Sequence, residues 1–98
     1  MEQNFIEQYA SNAKIFKGVS HPKRIAILRI LHTNGQMTVG ELITKLNSQG
    51  VEVAQATVSQ HLAIMRNAGI IHARFVKTKT ILSVIPVIAD ELIRIMGV

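Results

Sequence analysis

The sequence predicts an α+β domain, mostly helical, with one small antiparallel β-hairpin. Three observations carry that expectation. Residues 54–69, AQATVSQHLAIMRNAG, place Val58, Leu62 and Met65 at i, i+4 and i+7, the spacing of one buried helix face. Two upstream segments, 20–31 and 38–46, carry apolar residues at the same helical period. From Ile70 to Val84, two β-prone runs flank Lys77-Thr78-Lys79, which reads as a hairpin with a basic tip.

Taken in order, residues 4–17 read as a helix with Phe5, Tyr9, Ala13 and Phe16 along one side, ended by Gly18. Three of the chain's four aromatics lie there, facing either the core or a subunit interface. Ser20-His21-Pro22 opens a second helix, since proline suits a first turn where its missing N–H has no helical partner. Ile25, Ile27, Leu28, Ile30 and Leu31 make it apolar around most of its girth, and Asn34-Gly35 breaks it. Lys23 and Arg24 in its first turn read as solvated or close to phosphate. Thr38 and Glu41 form a capping box ahead of Val39, Leu42, Ile43 and Leu46. The short run 36–38 is a candidate third strand beside the hairpin. The last segment begins at Pro86, and Ile88, Ala89, Leu92, Ile93, Ile95 and Met96 cover two adjoining faces. One face can close the domain, and the other needs a partner.

The opposite side of the 54–69 helix holds Ala56, Ser59, Gln60, Ala63 and Asn67, and no charge. Small residues allow close approach to a groove, and Gln and Asn can donate and accept together, as reading a base edge requires. TVSQHL at 57–62, AGI at 68–70, the hairpin that follows and HPKRIAILRIL at 21–31 together resemble the ArsR family of small winged helix-turn-helix repressors. The likeness runs from about Val19 to Val84. It implies a hairpin wing, terminal dimerisation helices and a chain, 1–98, that forms one DNA-binding domain.

Two departures from that family pattern stand out. The segment Asn47 to Val53 is several residues longer than the usual turn, so the recognition helix is expected to start near Ala54 or Gln55. The wing tip has no glycine, which implies a longer or looser turn. ArsR proteins often bind metals through cysteines in the helix that here reads ELITKL, or through Asp and His in the last helix. This chain has no cysteine and no histidine after Asp90, so neither site carries over.

A formal net charge of +5 favours a polyanionic partner. No acid occurs between Glu7 and Glu41 or between Glu52 and Asp90, so both segments offer uninterrupted positive potential. Aromatics make up only 4%, which disfavours stacking on single strands. The absence of cysteine excludes disulfides and thiol chemistry. The four histidines lack metal-ligand spacing, and the six acids form no obvious catalytic pair, so no enzyme activity, metal or cofactor is expected. The start MEQNFIEQYA has neither the cationic region nor the apolar run of a signal peptide, and no apolar stretch is long enough to span a bilayer. A soluble, cytoplasmic protein with no membrane partner is expected.

The resemblance places Gln55, Ala56, Ser59 and Gln60 toward the major groove of double-stranded DNA, with Gln60 best suited to adenine. Thr57 begins the helix or meets a phosphate, while His61 is either a packing residue or a phosphate contact. Arg74, Lys77, Thr78 and Lys79 belong to the wing and follow the backbone or the minor groove. Phe5, Tyr9, Phe16, Ile88, Leu92, Ile95 and Met96 are expected at a homodimer interface. The expected function is a dimeric repressor bound to an imperfect inverted repeat, which either answers to a small molecule or protein effector or regulates without a ligand. A non-catalytic protein-interaction module and a double-stranded RNA binder are the rivals, with a metal-dependent hydrolase more distant.

Overall fold

The computed structural model describes residues 12–98. The expected contacts of Phe5 and Tyr9 therefore lie outside the described residues. Helix α1 covers 12–19, and α2 runs Pro22–Asn34. The short strand β1, Met37–Thr38, leads into α3, Val39–Ser48, and then α4, Gln55–Asn67. The hairpin strands β2, Ile71–Val76, and β3, Lys79–Val84, precede α5, Pro86–Met96. The sheet is antiparallel in the order β1-β3-β2, with Met37 opposite Leu82, so the short upstream strand does join the wing.

Helix α2 is the centre of the core. Ile27, Leu28 and Leu31 are fully buried, and α3, α4, α5 and β3 all pack against this helix. Its start follows from local chemistry. Pro22 occupies the first turn, and His21 Nδ1 accepts from the Lys23 backbone N–H at 3.1 Å. Gly35, with φ +77°, ends it. Helix α3 starts on the capping box: Thr38 Oγ1 accepts from the Glu41 N–H at 3.1 Å, and Glu41 Oε1 accepts from the Thr38 N–H at 2.9 Å.

The lengthened turn resolves into a defined cap. Helix α3 runs on through Asn47 and Ser48, and the Val51 N–H then donates to Leu46 O at 2.9 Å while Gly50 N–H donates to Asn47 O at 3.1 Å. With Gly50 at φ +79°, this is a Schellman stop. The same arrangement closes α4, where Ile70 N–H donates to Met65 O, Gly69 N–H donates to Arg66 O, and Gly69 lies at φ +79°. The turns on both sides of α4 are thus set by backbone bonds.

Three expectations are corrected. Gly18 does not end the first helix, which continues through Val19. Gly18 is buried where a Cβ would lie 2.5 Å from Ala68 Cβ and 3.1 Å from Ile70 Cδ1, so α1 approaches the end of α4 closely because no side chain intervenes. The wing turn is tight rather than loose. Val76 pairs with Lys79 across a two-residue connection, and Lys77 itself takes the positive φ, 58°, that glycine usually supplies. Leu92 is only 2% exposed and belongs mainly to the core beside Ala89, while its remaining surface lines the hollow between α1 and α5. Phe16, at 43%, and Ile95, at 52%, stay exposed around an apolar hollow of about 260 Å³ between α1 and α5. Ile88, half-buried, also lines that hollow, while Met96 packs half-buried against the core.

Gly18→Ala is expected to destabilise the fold by about 1–2 kcal/mol, because overpacking against Ala68 exceeds the roughly 1 kcal/mol that alanine contributes to helix propensity. Thermal or urea unfolding of the variant checks this, and equal or greater stability would contradict the close approach.

Candidate nucleic-acid interface

Helix α4 is oriented by the side it buries. Val58 and Met65 are fully buried and Leu62 nearly so, each worth about 1.5–3 kcal/mol against exposure. That burial turns Gln55, Ala56, Ser59 and Gln60 to solvent, with Thr57 half-buried at the rim. It also exposes Arg66, seven residues on from Ser59, so the outer face expected to hold no charge carries one in its last turn. Ala54 makes no side-chain cap, so the first N–H groups of α4 have no side chain in competition with an approaching phosphate.

A groove of about 550 Å³ joins three separate elements. Its walls are Gln55 and Ser59 from α4, Thr38 to Gly40 at the start of α3, and Thr78 to Thr80 from the wing. Glu41 is held below the usual carboxylate range by the Thr38 backbone N–H, then by the Thr38 hydroxyl, and to a lesser extent by the charge on Lys79. The start of α3 therefore shares the wing's electrostatic neighbourhood. Its place at this surface does not follow from helical periodicity. The signal available in the sequence was the run into the third strand, which ties Thr38 to the wing before α3 begins.

Within the wing, Arg74 is exposed opposite Ile81 on the side away from the core, in the same row as His72. Lys77 and Thr78 form the tip, and Lys79 begins the return strand, all exposed. The structure thus brings Gln55, Ser59, Thr78 and Lys79 to one groove and leaves Ala56, Gln60, Arg74 and Lys77 exposed outside its lining.

His61 takes the inward alternative. It is 8% exposed, and its Nδ1 lies 3.2 Å from Arg24 Nη1. A guanidinium only donates, so Nδ1 is the unprotonated nitrogen of a neutral imidazole. The His21 ring stands over it, centroids 4.6 Å apart and tilted by 53°. Arg24 is likewise corrected: it is half-buried against the back of α4, and its Nε is buried with no partner among the described residues. Neither side chain is on the exposed face of α4. Among the described residues no three His, Asp or Glu side chains gather closely enough to hold a metal ion. His32 Nε2 and Asp90 Oδ1 do meet at 2.7 Å, tying α2 to α5.

Burial lowers the His61 pKa below its ordinary 6.5, and the nearby His21, Arg24 and Lys23 lower it further. The unfolded chain therefore takes up this proton first. The His61 contribution to stability is complete above about pH 6.5 and is lost as pH falls through the depressed folded value. Melting temperatures at pH 7.5 and pH 5.5 should show a drop at the lower pH that is smaller in His61→Gln; an equal drop in both proteins would exclude His61 as its source.

A helix-turn-helix domain model matches residues 19–74, over half of the chain. An HTH-type transcriptional regulator of Methanocaldococcus jannaschii is 41% identical over 69 residues, 70% of this chain and 72% of that protein. Among solved structures, Rv0081 of Mycobacterium tuberculosis superposes with a TM-score of 0.75 at 34% identity, covering 92% of this chain and 86% of that one. The homodimeric winged helix-turn-helix DNA-binding domain Mb0332 of Mycobacterium bovis, described as a possible ArsR-family regulator, gives 0.79 at 19% identity. It covers 94% of this chain and 82% of that one and speaks to the fold alone. Among the described residues no helix is long and apolar enough to cross a membrane. With small and amide-bearing residues exposed at the start of α4, a cationic wing and a shared groove, the chain belongs to the winged helix-turn-helix family of DNA-binding transcriptional regulators.

Proposed function

We propose that the chain acts as a dimeric, cytoplasmic repressor of the ArsR type, a single DNA-binding domain with no catalytic role. The observation that carries this reading is the exposed start of α4, with Gln55, Ala56, Ser59 and Gln60 beside the wing cations. Gln60 reads a base edge by paired hydrogen bonds, and Gln55, Ala56 and Ser59 fit the floor of the major groove. Arg74, Lys77, Thr78 and Lys79 supply backbone contacts that add affinity more than sequence choice.

Dimerisation is supported by the apolar hollow between α1 and α5, where Phe16, Ile88 and Ile95 stand on one side of the molecule. The homodimeric state of the Mb0332 domain agrees with it. Two recognition helices related by a two-fold axis would enter major grooves about one turn apart, giving an operator that is an imperfect inverted repeat. Occupancy of an operator that overlaps a promoter excludes polymerase, so repression needs no further surface. With the ArsR cysteine and histidine ligands lacking, such a protein either answers to an organic molecule or a protein partner or regulates without a ligand.

Selection of binding sites from random duplex DNA at physiological salt, with the oligomeric state measured by light scattering, tests the proposal. An enriched inverted repeat bound by a dimer is expected; no enrichment by folded protein would favour the interaction-module reading. On the selected site, Gln60→Ala is expected to cost about 1–3 kcal/mol while leaving non-specific binding nearly unchanged. Equal losses on both duplexes would remove Gln60 from base reading. Replacing Lys77 and Lys79 by Ala should weaken binding to every duplex and reduce the salt slope by about 1 for each phosphate no longer neutralised.

A further inference from the structure

Beyond the cations, the wing carries an apolar side chain that the fold does not use. Phe75 is 81% exposed, the most exposed of the large apolar side chains among the described residues. Its place follows from the register. Ile71, Ala73 and Phe75 alternate along one face of β2, opposite Val84, Leu82 and Thr80. Ile71 and Leu82 are buried, so this is the face that packs on the helices. Phe75 stands on that face one step beyond the core, and its cross-strand partner Thr80 lines the groove shared with Gln55 and Ser59 of α4. The ring therefore lies on the same side of the wing as the recognition helix.

The surroundings select the occupant. Lys77 at the tip is two residues on from the ring, and Arg74 and Lys79 project from the other face of the same thin hairpin. All three are exposed, and the sequence has no acid between Glu52 and Asp90. An apolar ring on a hairpin whose tip and far face carry three cations fits a surface that alternates phosphate with apolar sugar faces. The minor groove of duplex DNA is such a surface, and side chains such as Phe enter it against deoxyribose or between base steps.

We propose that Phe75 is a DNA contact, its ring packing in the minor groove against deoxyribose beside the half-site entered by α4, with Lys77 and Lys79 on the adjoining phosphates. The proposal rests on the DNA-binding reading above and adds to it an apolar contact that carries no charge. Its signature differs from that of the cations. An apolar contact displaces no counterions, so its removal lowers affinity while salt dependence stays constant.

The test compares wild type, Phe75→Ala, Phe75→Leu and Lys77→Ala on the selected duplex, with melting curves to confirm that these exposed substitutions leave the fold intact. Phe75→Ala should lose about tenfold in affinity at an unchanged salt slope, and Phe75→Leu should recover part of it. Lys77→Ala should lower the slope by about 1. Hydroxyl-radical footprinting, which reports sugar accessibility in the minor groove, should show protection beside each half-site that disappears in Phe75→Ala and persists in Phe75→Leu. Unchanged affinity and footprint in Phe75→Ala, with Lys77→Ala still impaired, would overturn the proposal and leave the DNA-binding reading standing. An unchanged footprint with an altered oligomeric state would also overturn it, assigning Phe75 to a contact between copies. Failure of the wild-type protein to bind any duplex would overturn both.

Discussion

Ile27, Leu28 and Leu31 have no exposed surface, and the helix that carries them is touched by α3, α4, α5 and β3. The position of each functional element is therefore measured from α2. Helix α4 rests on it through Val58 and Met65, and the wing rests on it through Leu82. A change of volume on this buried side would move the recognition helix relative to the wing, since close-packed cores transmit strain rather than absorb it. The groove between Gln55 and Thr80 exists because two elements distant in sequence share one support.

A second support holds the back of α4. The Arg24 to His61 bond and the His21 ring lie on the inner side of the helix whose outer side meets solvent through Ser59 and Gln60. This contact requires a neutral imidazole, and burial together with neighbouring positive charge favours that state. The arrangement joins three sites that sequence reading treats separately: the helix opening at Ser20-His21-Pro22, a basic first turn at Arg24 and the recognition helix itself. It also removes two basic side chains from the exposed surface, leaving the cations of the wing and the uncharged first turns of α4 with different tasks.

The parts legible in the sequence were those governed by local rules. The α4 stripe, the Thr38 and Glu41 capping box, the proline starts at Pro22 and Pro86 and the breaks at Gly35 and Gly69 each depend on residues within one or two turns. What was not legible depends on contacts across the fold. Gly18 reads as a terminator in sequence, yet its role is set by Ala68, fifty positions away. The direction taken by His61 was open until Arg24 was seen behind it. The wing tip misled for another reason. A residue other than glycine at positive φ is strained, so sequence favours a looser turn, whereas pairing of Val76 with Lys79 holds Lys77 in place.

That tight turn shapes the surface at the tip. A two-residue connection keeps Val76 and Lys79 directly opposed, so strict alternation persists to the last rung of the ladder. Arg74 and Phe75 consequently stand on opposite faces of a thin hairpin, one beside His72 and the other in the row of Ala73. A looser turn would release the last rung and allow both side chains to sample either face. With the rung closed, the charged row and the apolar row keep separate orientations, and the strain at Lys77 is the local cost of that order. Phase along β2, set at one end by burial of Ile71 and at the other by the turn, decides that the ring shares the face of Thr80, which lines the groove beside α4.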